Sequence, residues 1–126
     1  LEFDRLKRKA EAGVQVIYTQ PVFDLEDADR ALEDCAKFNL PCFVGVLPLR
    51  NLRHCEFMHN EVPGIRIPDW LRKKMSDAPD DVAAQAVGLE EAMKLAAHVR
   101  QVAQGLYLMP PAGNHTIAEL IVTAMR

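Results

Sequence analysis

Long hydrophobic runs are missing from this 126-residue chain. None approaches the roughly 20 apolar residues that span a bilayer, so no membrane segment is expected. A cationic surplus is missing too: 15 Lys and Arg stand against 18 Asp and Glu, for a formal net charge of −3. That balance argues against a surface that binds nucleic acid. The phosphate-loop patterns GxGxxG and GxxxxGK[ST] are absent, and Gly113 is too isolated to stand for one. No secretory signal pattern opens the chain. Cysteine is sparse: Cys35, Cys42 and Cys55 are odd in number and match no zinc spacing. They read as small buried hydrophobes in a reducing, cytoplasmic setting. His54 and His59 lack a neighbouring carboxylate or third ligand, so no metal site is expected. No Ser-His or Cys-His dyad can be assembled.

What is present is the balance of a globular domain, 49% apolar and 26% charged residues. The length allows one domain or less. The chain opens on Leu1, directly in a helical pattern, and reads as a piece of a longer protein, residues 1–126 being one part of a domain.

The most informative stretch is AGVQVIYTQPVFD, Ala12 to Asp24. Gly13 closes the helix Glu2 to Ala12, because a residue without Cβ takes the left-handed cap at little cost. Val14 to Thr19 suits a strand. Thr19 and Gln20 place a hydroxyl and an amide where that strand ends, before Pro21 stops it. Asp24 caps the next helix, which runs to Phe38 with Leu25, Ala28, Leu32 and Cys35 facing inward. Pro41 opens a second strand, CFVGVLPL, apolar on both faces as in a parallel sheet. Asn51 caps a helix reaching about His59, and Pro68 fits the first turn of the helix IPDWLRKKM. The longest helix, about Val82 to Gln104, carries a stripe of Val82, Ala86, Leu89, Met93, Ala97 and Val99, with Gly105 as its stop. Leu106 to Met109 is a third strand. A final helix, Thr116 to Met125, follows the turn Pro110 to Asn114.

Strands that alternate with helices make a parallel sheet, so the fold class is α/β. All three strands then end on one face, which collects Thr19 and Gln20, Pro48 to Asn51, and Met109 to Asn114. Sites in such folds form at the C-terminal ends of strands. Gln20 is therefore the leading candidate. The run Lys7, Arg8, Lys9 reads as a solvated helix face, with a cofactor pyrophosphate as the other reading.

Several blocks in this order resemble the methylenetetrahydrofolate reductase family. They are LKRKAEAGVQVIYTQPVFD, VGVLPLRNLRHCEF, GIRIPDWL and DDVAAQAVGLEEAMKLA. GLYLMPP is similar to bacterial variants in which the reductase is fused behind a homocysteine methyltransferase. The resemblance implies a partial (β/α)8 TIM barrel, namely its last three βα units. It implies FAD and NAD(P)H as cofactors and reduction of 5,10-methylenetetrahydrofolate to 5-methyltetrahydrofolate, in one-carbon and methionine metabolism. Gln20 matches the glutamine that hydrogen-bonds the folate substrate, and an amide can both donate and accept along a pterin edge. Lys9 matches a lysine that contacts FAD, with Arg8 beside it. His54 stands where the family often has Gln, and Met58 where it often has a Phe that stacks on folate. Gly113 or Asn114 stands where an Arg is usual. The family's general acid, a Glu, lies outside this chain, so no catalytic residue is assigned. The expected partners are folate and the remainder of the barrel or a second copy. A non-catalytic folate- or partner-binding module with a degenerate barrel is the alternative.

Overall fold

The structure, a computed structural model, describes residues 3–109, 119 and 121–123. Its elements run α1 (Phe3–Glu11), β1 (Ile17–Pro21), α2 (Leu25–Ala36), β2 (Cys42–Val46), α3 (Leu52–Glu61), α4 (Asp69–Asp77), α5 (Asp81–Val102) and β3 (Gly105–Leu108). The three strands form one parallel sheet in the order β1-β2-β3. This is the α/β arrangement that the alternating pattern requires. The expected loop Pro110 to Asn114 and most of the last helix lie outside the described residues. Within that helix, Ile121 is helical and buried in the main core.

Local chemistry sets most boundaries. Asp24, Asn51 and Asp80 each sit in extended backbone before a helix, and each accepts a hydrogen bond from the amide three residues on. That satisfies an amide the helix itself leaves unpaired. Gly13 adopts φ +95 after α1, and Asn39 takes φ 55 after α2. Pro68 is the cap of α4 and stands just before its first turn. Gly105 begins β3, and the helix before it ends at Val102.

The sheet has two unlike faces. Ile17, Cys42, Val44 and Val46 point to one side, where they join Leu6, Ala28 and Cys35 with Ala92, Leu95, Ala96 and Val99 of α5. Tyr18, Gln20, Phe43 and Tyr107 belong to the other side, and Tyr18 there is 63% exposed. Among the described residues, helices cover one face only. A second core gathers Phe23, Leu49, Cys55, Ile65, Ile67, Leu71 and Met75 where α3 and α4 meet the strand ends.

Three expectations need correction. Leu25, expected to face inward from α2, is 47% exposed, while Ala31 is buried. β1 starts at Ile17, not Val14, and runs through Pro21. Val14 to Val16 lie between the turn at Ala12 and Gly13 and the strand, with Val14 and Val16 each 36% exposed. The inward face of α5 is Ala84, Gly88, Ala92, Leu95, Ala96 and Val99. Of the expected stripe only Val99 is fully buried; Val82 is 79% exposed, and Ala86, Leu89, Met93 and Ala97 line an open groove beside Ile121. The reason is close approach. A Cβ on Gly88 would run into the backbone of Leu49, so the side of α5 that touches this loop must be small, and the larger residues move to its flank.

Candidate functional site

The site grows from a fault in the β1–β2 ladder. Ile17 pairs with Cys42 and Tyr18 with Phe43, but the next pair is Pro21 with Gly45. Thr19 and Gln20 therefore face the single residue Val44, which is a bulge. The Thr19 hydroxyl repairs it: Oγ1 accepts the Gly45 N–H at 3.0 Å and donates to the Gln20 carbonyl at 2.8 Å. Past the proline, which has no N–H, the ladder resumes as Val22 N–H donates to the Gly45 carbonyl at 3.1 Å.

The bulge leaves Gln20 exposed at the strand end, yet its side chain is held. Nε2 donates to the Pro63 carbonyl at 3.3 Å. The amide lies over Gly64, which adopts φ +83; a Cβ there would stand 2.5 Å from Oε1. Among the described residues Oε1 accepts no hydrogen bond. The carbonyl oxygen and the second Nε2 N–H therefore remain for a ligand.

Around Gln20 lies an aromatic face. Tyr18 stacks on Phe43, with ring centroids 5.2 Å apart at 17°, and meets Tyr107 edge-on at 5.7 Å. Two glycines make room for these rings. Phe43 pairs with Gly105 and leans over it, and Tyr107 pairs with Gly45 and leans over that. Tyr107 reaches across β2 and donates its hydroxyl to the Thr19 carbonyl. Burial pushes its phenol up from 10.0, so it stays protonated and donates.

The remaining sequence-derived residues have different settings. His54 Nδ1 accepts the Arg50 N–H at 3.1 Å, and its own N–H is capped by Asn51 at 2.8 Å. Burial first, and the Arg50 charge second, hold its pKa below 6.5, so the ring is neutral near pH 7 and its tie to Arg50 persists. His59 Nδ1 accepts the Ile67 N–H at 3.1 Å. Both histidines thus fix turns through one ring nitrogen. Met58 packs partly against the second core, while its neighbour Phe57 is 56% exposed. Arg8 and Lys9 are exposed in the last turn of α1, joined by the chain to the start of β1 rather than to its end. The structure does not bring them beside Gln20.

The three cysteines are free and buried. Burial raises the thiols of Cys42 and Cys55 to about 12 and about 11, which keeps them protonated and unreactive. Among the described residues no three His, Cys, Asp or Glu side chains gather into a metal-binding group, and no helix is long and apolar enough to cross a membrane.

Tyr107 and Gly45 were not singled out by the sequence reading. A signal was available: glycine inside a strand marks close approach by another group.

A family model described as methylenetetrahydrofolate reductase matches residues 1–123. The chain belongs to that family. The 5,10-methylenetetrahydrofolate reductase of Escherichia coli (strain K12) is 30% identical over 93 residues, covering 71% of this chain and 31% of that protein. The 5,10-methylenetetrahydrofolate reductase of Buchnera aphidicola (subsp. Schizaphis graminum) is 27% identical over 84 residues, covering 65% of this chain and 28% of that protein. The match spans less than a third of the length of these curated reductases. Against that family, the three parallel strands and their helices fit a partial βα barrel.

Proposed function

We propose that this chain is the folate-gripping part of an FAD-dependent reductase that converts 5,10-methylenetetrahydrofolate to 5-methyltetrahydrofolate with NAD(P)H. The observation that carries this reading is the held yet open amide of Gln20. It is tethered through Nε2 to the Pro63 carbonyl, and its Oε1, lying over Gly64 at the end of β1, accepts no hydrogen bond among the described residues. A pterin edge, which offers donors and acceptors in one plane, is the partner such an amide suits. Family membership supports the same substrate.

The flavin, when bound, supplies hydride transfer between the two substrates. The residues of this chain that would hold it are Lys9 and Arg8. Both are exposed on α1, and charge fits them to its phosphates. This chain's larger task is orientation. Thr19 and the bulge aim Gln20, and the aromatic face of Tyr18, Phe43 and Tyr107 gives the neighbouring surface a flat, apolar character. His54, neutral and fixed, would border the same substrate from the second strand end, with Met58 packed behind it.

In the complete protein, Gln20→Ala is expected to slow flavin reoxidation by the folate with a cost of about 1–3 kcal/mol, the scale of an unpaired polar group. Flavin reduction by NAD(P)H should stay near wild type. Rapid-mixing measurement of the two half-reactions checks this. Equal losses in both would show that Gln20 acts through stability instead.

A further inference from the structure

We propose that Tyr107 is a positioning residue for Gln20, acting across the sheet through the Thr19 carbonyl. The proposal rests on the reading of Gln20 as a folate ligand. Adjacent strands lie about 4.8 Å apart, so β3 stands about 10 Å from β1, with β2 between them. A tyrosine spans that gap only if the intervening residue has no side chain. Gly45 meets this need: a Cβ there would stand 2.8 Å from the Tyr107 hydroxyl and 3.0 Å from Met109 Cε. The phenol then donates to Thr19 at the point where the ladder slips.

Thr19 is the residue whose hydroxyl also takes the Gly45 N–H and gives its proton to the Gln20 carbonyl. Both ends of the Thr19 unit are thereby fixed, its side chain by β2 and its carbonyl by β3. A bulge otherwise loosens the local ladder. The peptide that aims the Gln20 amide is bound on both sides because Tyr107 closes the second one. Tyr107 has no need to touch the folate. Its ring meets Tyr18 edge-on, and its hydroxyl is spent on the backbone.

The test uses the complete protein. Tyr107→Phe keeps the ring over Gly45 and removes only the donor. It should raise the folate KM about twofold to twelvefold, the scale of one hydrogen bond. Flavin reduction by NAD(P)H should stay unchanged. In a Gln20→Ala background the same change should add little, since the group it positions is gone. An unchanged folate KM in Tyr107→Phe, with Gln20→Ala impaired, would overturn the proposal alone. So would full additivity of the two changes, or an equal loss in both half-reactions. A wild-type folate KM in Gln20→Ala would overturn the folate reading on which the proposal rests.

Discussion

Gln20 shows how one side chain is fixed by groups that carry none of its chemistry. Gly64 lies beneath it at a positive φ, and Pro63 offers the carbonyl. Gly64→Ala would add left-handed strain, about 1–2 kcal/mol, and push against Oε1. The expected outcome in the complete protein is a lower unfolding midpoint together with a raised folate KM, measured by denaturant titration and steady-state kinetics. A stability loss with no change in KM would detach Gly64 from the site. At this scale the sequence was partly legible. An amide before a strand-ending proline is visible in TQP, and so are the capping residues Asp24 and Asn51. The partners of Gln20 were not visible, because Pro63 is separated from it by 43 residues and only the folded path of α3 brings it back.

Elements are joined here by small residues. Gly45 and Gly105 let Phe43 and Tyr107 lean across strands, and Gly88 lets α5 touch the loop after β2. Ion pairs then tie the helices together: Arg66 reaches Asp24 and Asp27 of the α2 start, Arg72 holds Glu56 at 2.8 Å, and Lys74 holds Glu91 at 2.8 Å. Such exposed pairs contribute little each, so the close backbone contact matters more. Gly88→Ala places a methyl against the Leu49 backbone and should destabilise by about 1–3 kcal/mol, as overpacking does. Thermal unfolding of the complete protein measures this; a stable variant would mean that the loop yields easily. Helix periodicity located α5 well but misjudged its face. Apolar residues occupy two sides of that helix, and the sequence does not state that the closer side must be the smaller one. The start of β1 was similarly hidden by Val14 and Val16, which have strand propensity but precede the ladder.

The molecule as a whole has a sheet with helices on one face and aromatic rings on the other. Among the described residues its outer strands, β1 and β3, each have one neighbour. Open edges and an exposed aromatic face favour association. The 126-residue chain by itself is therefore expected to self-associate and to hold no stoichiometric FAD, as read by light scattering and flavin absorbance. A monodisperse monomer with one FAD per chain would contradict this. The parallel α/β arrangement was legible because strands and helices alternate and CFVGV is apolar on both faces. Periodicity alone does not say what meets the second face. The proposed role of this chain is folate reduction in a flavoprotein. The most direct measurement is anaerobic: reduce the complete protein's flavin with NAD(P)H, add 5,10-methylenetetrahydrofolate, and follow flavin absorbance and product. Absorbance is expected to return as 5-methyltetrahydrofolate forms, with Gln20→Ala slowing this step alone. A reduced flavin that stays reduced in the presence of the folate would contradict that role.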